Sequence, residues 1–241
     1  MITHFPSPYP DELVYSLFSR YYSSSGALTY RCIAEELFIN SFSKPDIEFV
    51  NALTPEGYDV ATHAMTWETL IMDHTMFKYY AHFLPLQRRQ NAYAAIMNHD
   101  RAYHNLLCLP KSNERIPRYL RYCPLCAAND RIKHGETYWH RLHQMHGINV
   151  CPTHYCYLNN SSIAISSNGT PALTSAEESV PIHASCLYSN NMLECQLAAY
   201  VATAFSAEFM MPSVPGLFCL HREAMKLGPV FFCSAELVYR N

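Results

Sequence analysis

The chain has 241 residues, 49% of them hydrophobic and 15% charged. That is enough for one large domain or two small ones, and too apolar for an intrinsically disordered chain. Its formal charge of −3 is unevenly spread: residues 1–77 hold three basic and ten acidic side chains, residues 78–141 eleven and four, residues 142–241 three and six. No apolar stretch reaches the length of a membrane span and the opening residues lack a basic, then apolar, leader, so a cytoplasmic protein is expected.

In chain order, Pro8-Tyr9-Pro10-Asp11-Glu12 reads as a helix start, with acids in the first turn where the dipole favours them. Leu13, Val14, Leu17, Phe18 and Tyr21 follow at helical spacing up to Gly26. Thr29 then caps a second helix carrying Ile33, Ala34, Leu37 and Phe38. The pair is helix-turn-helix-like, with a plain helical hairpin as the equal alternative. Pro45, Pro55 and Gly57 mark residues 40–60 as loop. A third helix runs through Trp67, Leu70 and Ile71, and Pro85 ends the aromatic stretch from Phe77 to Phe83. A helix from Gln87 to about Tyr103 should turn Ala92, Ala95, Ile96 and Met97 inward and Arg88, Arg89 and Arg101 outward. Gly135 closes a short helix, and Thr137 to His146 is read as another, with His140, His143 and His146 along it, solvated or hydrogen-bonded. Residues 159–190 read as loop or irregular β, and a last helical pattern occupies about 190–210.

The strongest chemical signal is Cys123-Pro124-Leu125-Cys126, followed after 24 residues by Cys151-Pro152-Thr153-His154. Ten cysteines in a chain of this length without an export signal point to metal rather than disulfides. Each knuckle aims two ligands at one point, and three thiolates with one imidazole fill a tetrahedron. Zn2+ at Cys123, Cys126, Cys151 and His154 is therefore expected to be structural, with Cys156 or His143 as the replacement for one ligand. His183 with Cys186, and Cys219 with His221, lack matching partners for a second site, so core or surface placement is expected. Cys32, Cys108, Cys195 and Cys233 read as small buried hydrophobes.

The basic middle, Arg115, Arg118, Arg121, Arg131, Lys133 and Arg141, is interleaved with Tyr119, Tyr122, Tyr138 and Trp139. Positive charge among aromatics is a footprint for nucleic acid, and a solvated charged face is its equal alternative. Phosphate loops, dinucleotide-binding turns and nucleophile elbows are absent, and the carboxylates are scattered. An enzyme, and a small-molecule substrate, are accordingly not expected.

Three blocks carry a resemblance. They are Phe5-Pro6-x-Pro8-Tyr9-Pro10-Asp11-Glu12-Leu13-x-Tyr15-Ser16 with Arg20-Tyr21; Asp73-His74-Thr75-Met76-Phe77 with Arg88-Arg89; and Arg121-Tyr122-Cys123-Pro124-x-Cys126, Gly135-Glu136-x-Tyr138-Trp139-His140-Arg141-x-His143-Gln144 and Val150-Cys151-Pro152-x-His154. Over about residues 1–160 the chain resembles the TniQ/TnsD family of bacterial transposon target-selection proteins, in particular its short TniQ-like members. The resemblance implies a mainly α fold: an N-terminal helical, helix-turn-helix-like domain (1–110), a CCCH zinc-binding module (111–160) of zinc-ribbon or zinc-finger type, and a C-terminal loop-rich and helical region (161–241). It also implies a non-enzymatic adaptor that recruits a TnsC-like AAA+ ATPase to target DNA or to a CRISPR guide-RNA effector complex, often as a homodimer. Phe5, Tyr9, Asp11 and Glu12 would then face protein partners and the basic residues nucleic acid. The alternative is an autonomous zinc-finger DNA-binding regulator.

Overall fold

A computed structural model describes residues 5–42, 44–109, 118–165 and 172–206. The apolar spacing after Leu13 forms α1 (Val14–Ser25), ended by Gly26 in the left-handed region at φ 70°. Thr29 is the N-cap of α2 (Tyr30–Leu37). After α3 (Pro55–Thr62) come α4 (Trp67–His74), α5 (Phe77–His82), α6 (Leu86–Met97) and α7 (Tyr103–Leu106). The fold is mainly helical. Strand β1 (Tyr119–Tyr122) pairs antiparallel with β2 (Asn159–Ala164), Arg121 opposite Asn160, with α8 (Pro124–His134) between them in sequence. α9 (Ala176–Ser179) and α10 (Met192–Ser206) complete the described residues. Among these, no helix is long and apolar enough to cross a membrane.

One apolar cluster draws side chains from Phe5 to Phe205, so all three stretches expected as modules contribute to it. Trp139 is completely buried, and its indole N–H donates to the Thr174 carbonyl at 3.1 Å, which satisfies the one polar atom such a side chain carries inward.

Five sequence expectations are corrected. First, α1 has no acid in its first turn. Asp11 and Glu12 precede it in a turn where Asp11 takes φ 58°; Asp11 bonds to Arg141 and Leu142, while Glu12 accepts from Ser16 and Arg20 of the helix. Second, the loop expected over 40–60 ends in α3. Pro55 stands at the first helical position, and Thr54 caps the helix by accepting the Gly57 N–H. Gly57 is there for proximity, since a Cβ would lie 2.2 Å from the Leu37 carbonyl oxygen. Third, Thr137–His146 is not a helix and holds only a 3-10 turn at Leu142–Gln144. Its main chain bonds outward instead: Leu13 N–H donates to the Trp139 carbonyl (2.8 Å) and Arg141 N–H to the Asp11 carbonyl (3.0 Å). Fourth, Arg89 is buried rather than outward. It donates to the carbonyls of Ala81, His82 and Leu84, where the chain leaves α5. Fifth, Cys32 is exposed and Cys108 half-buried, while Cys195 is buried as expected. Cys233, Cys219 and His221 lie outside the described residues, as does the stretch of the last helical pattern beyond Ser206.

Candidate metal centre

The first knuckle is built by a strand running into a helix. Cys123 follows β1 and is the N-cap of α8. Its Sγ takes the place of the usual hydroxyl or carboxylate cap by accepting the Cys126 N–H at 3.4 Å, and Pro124 occupies the first helical position. A helix N-terminus favours the thiolate form, and Cys126, one turn on, points to the same place. The second knuckle is a tight turn. Cys151 N–H donates to the Cys156 carbonyl (2.8 Å), Tyr155 N–H to the Cys151 carbonyl (2.9 Å), and Tyr155 takes φ 55° to close it.

These turns bring Cys123, Cys126 and Cys151 together with two histidines. The ligand atoms of the three cysteines and of His143 all lie within 4.8 Å of one another, a set that could hold a metal ion. His154 Nδ1 is 3.4 Å from the sulfur of Cys123, 3.3 Å from Cys126 and 3.8 Å from Cys151, and Cys126 and Cys151 are 3.8 Å apart. Zinc bonds of ~2.0–2.3 Å in a tetrahedron imply ligand–ligand edges of about 3.5–3.8 Å, so the donors fit zinc in both kind and spacing. His143 Nε2 is 3.9 Å from Cys151, while Cys156 brings a fourth thiol 3.3 Å from Cys123. Hydrogen bonding with Cys126 and Cys151 holds the Cys123 thiol far below its ordinary pKa. Burial, then the Cys123 sulfur, pushes the Cys156 thiol up. Cys186 packs against this cluster and His183 is exposed.

A second constellation joins the N-terminal segment to the same module. Asp11 receives Arg141 Nε at 3.2 Å and the Leu142 N–H at 3.1 Å, and lies 3.7 Å from His140. His140 Nε2 meets Asp130 at 2.9 Å. Burial alone would lower His140, but Asp11 and Asp130 outweigh it and raise its pKa to about 9. Burial likewise pushes the Asp11 carboxyl up, yet His140 and Arg141 hold it below its ordinary value. Arg141, 6% exposed, also donates to the carbonyls of Met72 and Thr75. Arg20 bridges Glu12 (3.0 Å) and Glu136 (2.8 Å), and stacks on Tyr9, whose hydroxyl also reaches Glu136. Burial pushes the Glu12 carboxyl up to about 7, against the opposing charge of Arg20. Ser16 ties both together, donating to Glu12 and accepting the Trp139 N–H. The remaining histidine of the triplet, His146, meets Glu48 at 3.0 Å and the Tyr80 hydroxyl at 2.8 Å.

Several residues expected on outer surfaces therefore serve the interior. Phe5 is buried against Phe18 and Tyr21, and Glu12 is fully enclosed. Arg141 is buried. Half-buried Arg121 directs both terminal nitrogens to the carbonyls of Met145 and Ile148 at 2.6 Å. Arg118 pairs with Glu48 and Arg131 with Glu177, each keeping partial exposure. Lys133 is exposed on α8, and Arg115 lies outside the described residues. The sequence reading missed Ser16, Arg20, Glu48, Asp130 and Glu136 as partners. Their signal was weak: the pairings of Arg20 with Glu136, Ser16 with Trp139 and Glu48 with His146 join blocks about a hundred residues apart and leave no local pattern, and the closer bonds of Asp130 reach into an irregular turn.

A family model described as TniQ matches residues 3–158. The chain is also similar to the transposon Tn7 transposition protein TnsD of Escherichia coli, 27% identical over 156 residues, covering 63% of this chain and 30% of that protein. It thus matches under a third of the length of that curated relative.

Proposed function

We propose that this chain, which belongs to the TniQ family, is a target-selection adaptor for DNA transposition rather than an enzyme. The observation that carries the reading is the extent of the family match, residues 3–158. Those residues include both the thiol cluster and the N-terminal segment bonded to its module. In this reading Cys123, Cys126, Cys151 and His154 hold a structural zinc ion, whose chemistry is to cross-link two turns that have little apolar core of their own. Four protein ligands leave no open position for a reacting water.

An adaptor needs partners, and the reading assigns it a TnsC-like AAA+ ATPase on one side and target DNA, or a guide-RNA effector complex, on the other. The active species is a homodimer. Nucleic-acid contact falls on Lys133 and the partly exposed Arg118 and Arg131. Protein contact falls on the half-buried Tyr9 and Asp11 rather than on the enclosed Phe5 and Glu12.

The test is co-purification of the protein with a TnsC-like ATPase and with a guide-RNA effector, zinc being quantified in the same sample. One zinc per chain and retention of the ATPase are expected, and retention of the effector selects the guide-RNA branch. A zinc-loaded protein that ignores both partners but shifts duplex DNA alone would replace the adaptor with an autonomous regulator.

A further inference from the structure

Two histidines reach the three thiols, and a tetrahedral zinc takes only one of them. Their second ring nitrogens differ. His154 turns Nε2 to the Asn129 side-chain amide at 3.5 Å, the outer partner that metal-bound imidazoles usually keep. The atom at that distance is the amide nitrogen; with Nδ1 toward the sulfurs Nε2 carries the proton, and the Asn129 amide turns over to present its oxygen. His143 has the opposite arrangement. It is 2% exposed, and its Nδ1 is a buried polar atom without a hydrogen-bond partner among the described residues. Among the described residues the sulfur of Cys151, 3.9 Å from Nε2, is the one acceptor its ring reaches, so the ring proton is best placed there. The His143 ring also lies 4.7 Å, centroid to centroid, from that of His140, which Asp11 and Asp130 hold in place.

We infer that His143 is a positioning residue for the metal centre. It donates Nε2–H to the Cys151 sulfur from outside the ligand set, while His154 completes the tetrahedron. The inference rests on the zinc reading above. Three thiolates and one imidazole on a dication leave one net negative charge in a largely buried site, and an N–H donor on one thiolate offsets part of it. Asp11, His140, His143 and Cys151 then form one continuous line from the N-terminal segment to the metal.

Cobalt substitution tests the assignment, because its visible ligand-field bands report the donor set and chelator competition reports affinity. The wild type, His143→Ala, His143→Gln and His154→Ala are each loaded with Co2+ and then competed with Zn2+ and chelator. The expected result is that His143→Ala keeps the wild-type bands but binds metal about 10–100-fold more weakly. His143→Gln, whose amide still donates, recovers part of that loss, and His154→Ala shifts the bands. If His143→Ala shifts the bands and His154→Ala does not, the two roles are reversed and the inference fails. It fails equally if His143→Ala leaves affinity unchanged, or if His143→Gln recovers nothing. A wild type that takes up no cobalt or zinc would overturn the zinc reading itself, an outcome separate from these three.

Discussion

The two knuckles and the N-terminal interlock both tie distant stretches of chain together, by opposite means. The knuckles bring thiols and an imidazole together through two short turns, and two four-residue motifs mark where those turns lie. The interlock spreads over Tyr9, Asp11, Glu12, Ser16 and Arg20 on one side and Asp130, Glu136, Trp139, His140 and Arg141 on the other. Its buried members, Glu12, Ser16, Asp130, Trp139 and Arg141, are held by half-buried ones such as Tyr9, Asp11 and Glu136. The comparison teaches that a ligand cluster can be read from spacing, whereas a buried ionic network can be read only once the chain segments are known to meet.

Breaking the knuckles should have the largest effect. Cys151→Ser is expected to abolish stoichiometric zinc and with it most of the ~10–16 kcal/mol that structural zinc binding contributes to such turns. Metal content and loss of a cooperative thermal transition would check this. Breaking the interlock comes next. Asp11→Ala leaves the buried Arg141 guanidinium without its carboxylate and should cost about 3–5 kcal/mol in denaturant unfolding. Adding Arg141→Met should recover much of that loss, since the uncompensated charge is then gone.

A purely steric change away from both sites calibrates the scale. Gly57→Ala forces a Cβ into the Leu37 carbonyl and should cost roughly 1–3 kcal/mol without altering zinc content. The interlock also carries a pH signature. Because the folded His140 pKa is raised to about 9 from 6.5, its stabilisation is complete below pH 6.5 and is lost as pH rises through 9. His140→Gln should flatten the stability profile in that window, as read from unfolding midpoints at fixed zinc. Smallest of all, Lys133→Glu on the outer face of α8 should change stability by no more than about 0.5 kcal/mol while weakening nucleic-acid binding.

Legibility in the sequence followed the range of the forces involved. α1, α2 and α4 followed from apolar periodicity, and the ends of α1 and α8 from Gly26 and Gly135, signals that act within a few residues. The three thiols followed from knuckle spacing; His154 reads as the fourth ligand with Cys156 or His143 as its replacement, and all three side chains reach the cluster. α3 was missed because Pro55 and Gly57, usual breakers, serve there as a helix start and a close approach. Thr137–His146 was misread because its three-residue histidine repeat imitates a helix, while its main chain is bonded to residues 11 and 13, far outside any local window. Arg89, Arg121 and Arg141 were placed outside because an arginine's usual home is the surface. Their carbonyl partners come from chain ends and turns that composition does not reveal.

The central claim is that the N-terminal segment and the metal-binding knuckles form one cooperative unit. Hydrogen exchange measured before and after chelation tests it most directly. The amides of Leu13, Arg141 and Leu142 bond across the interlock, and those of Cys126, Cys151 and Tyr155 lie within the knuckles. The account predicts that removing zinc raises exchange in both groups together. Loss of protection confined to the knuckle amides, with the interlock amides unchanged, would contradict it.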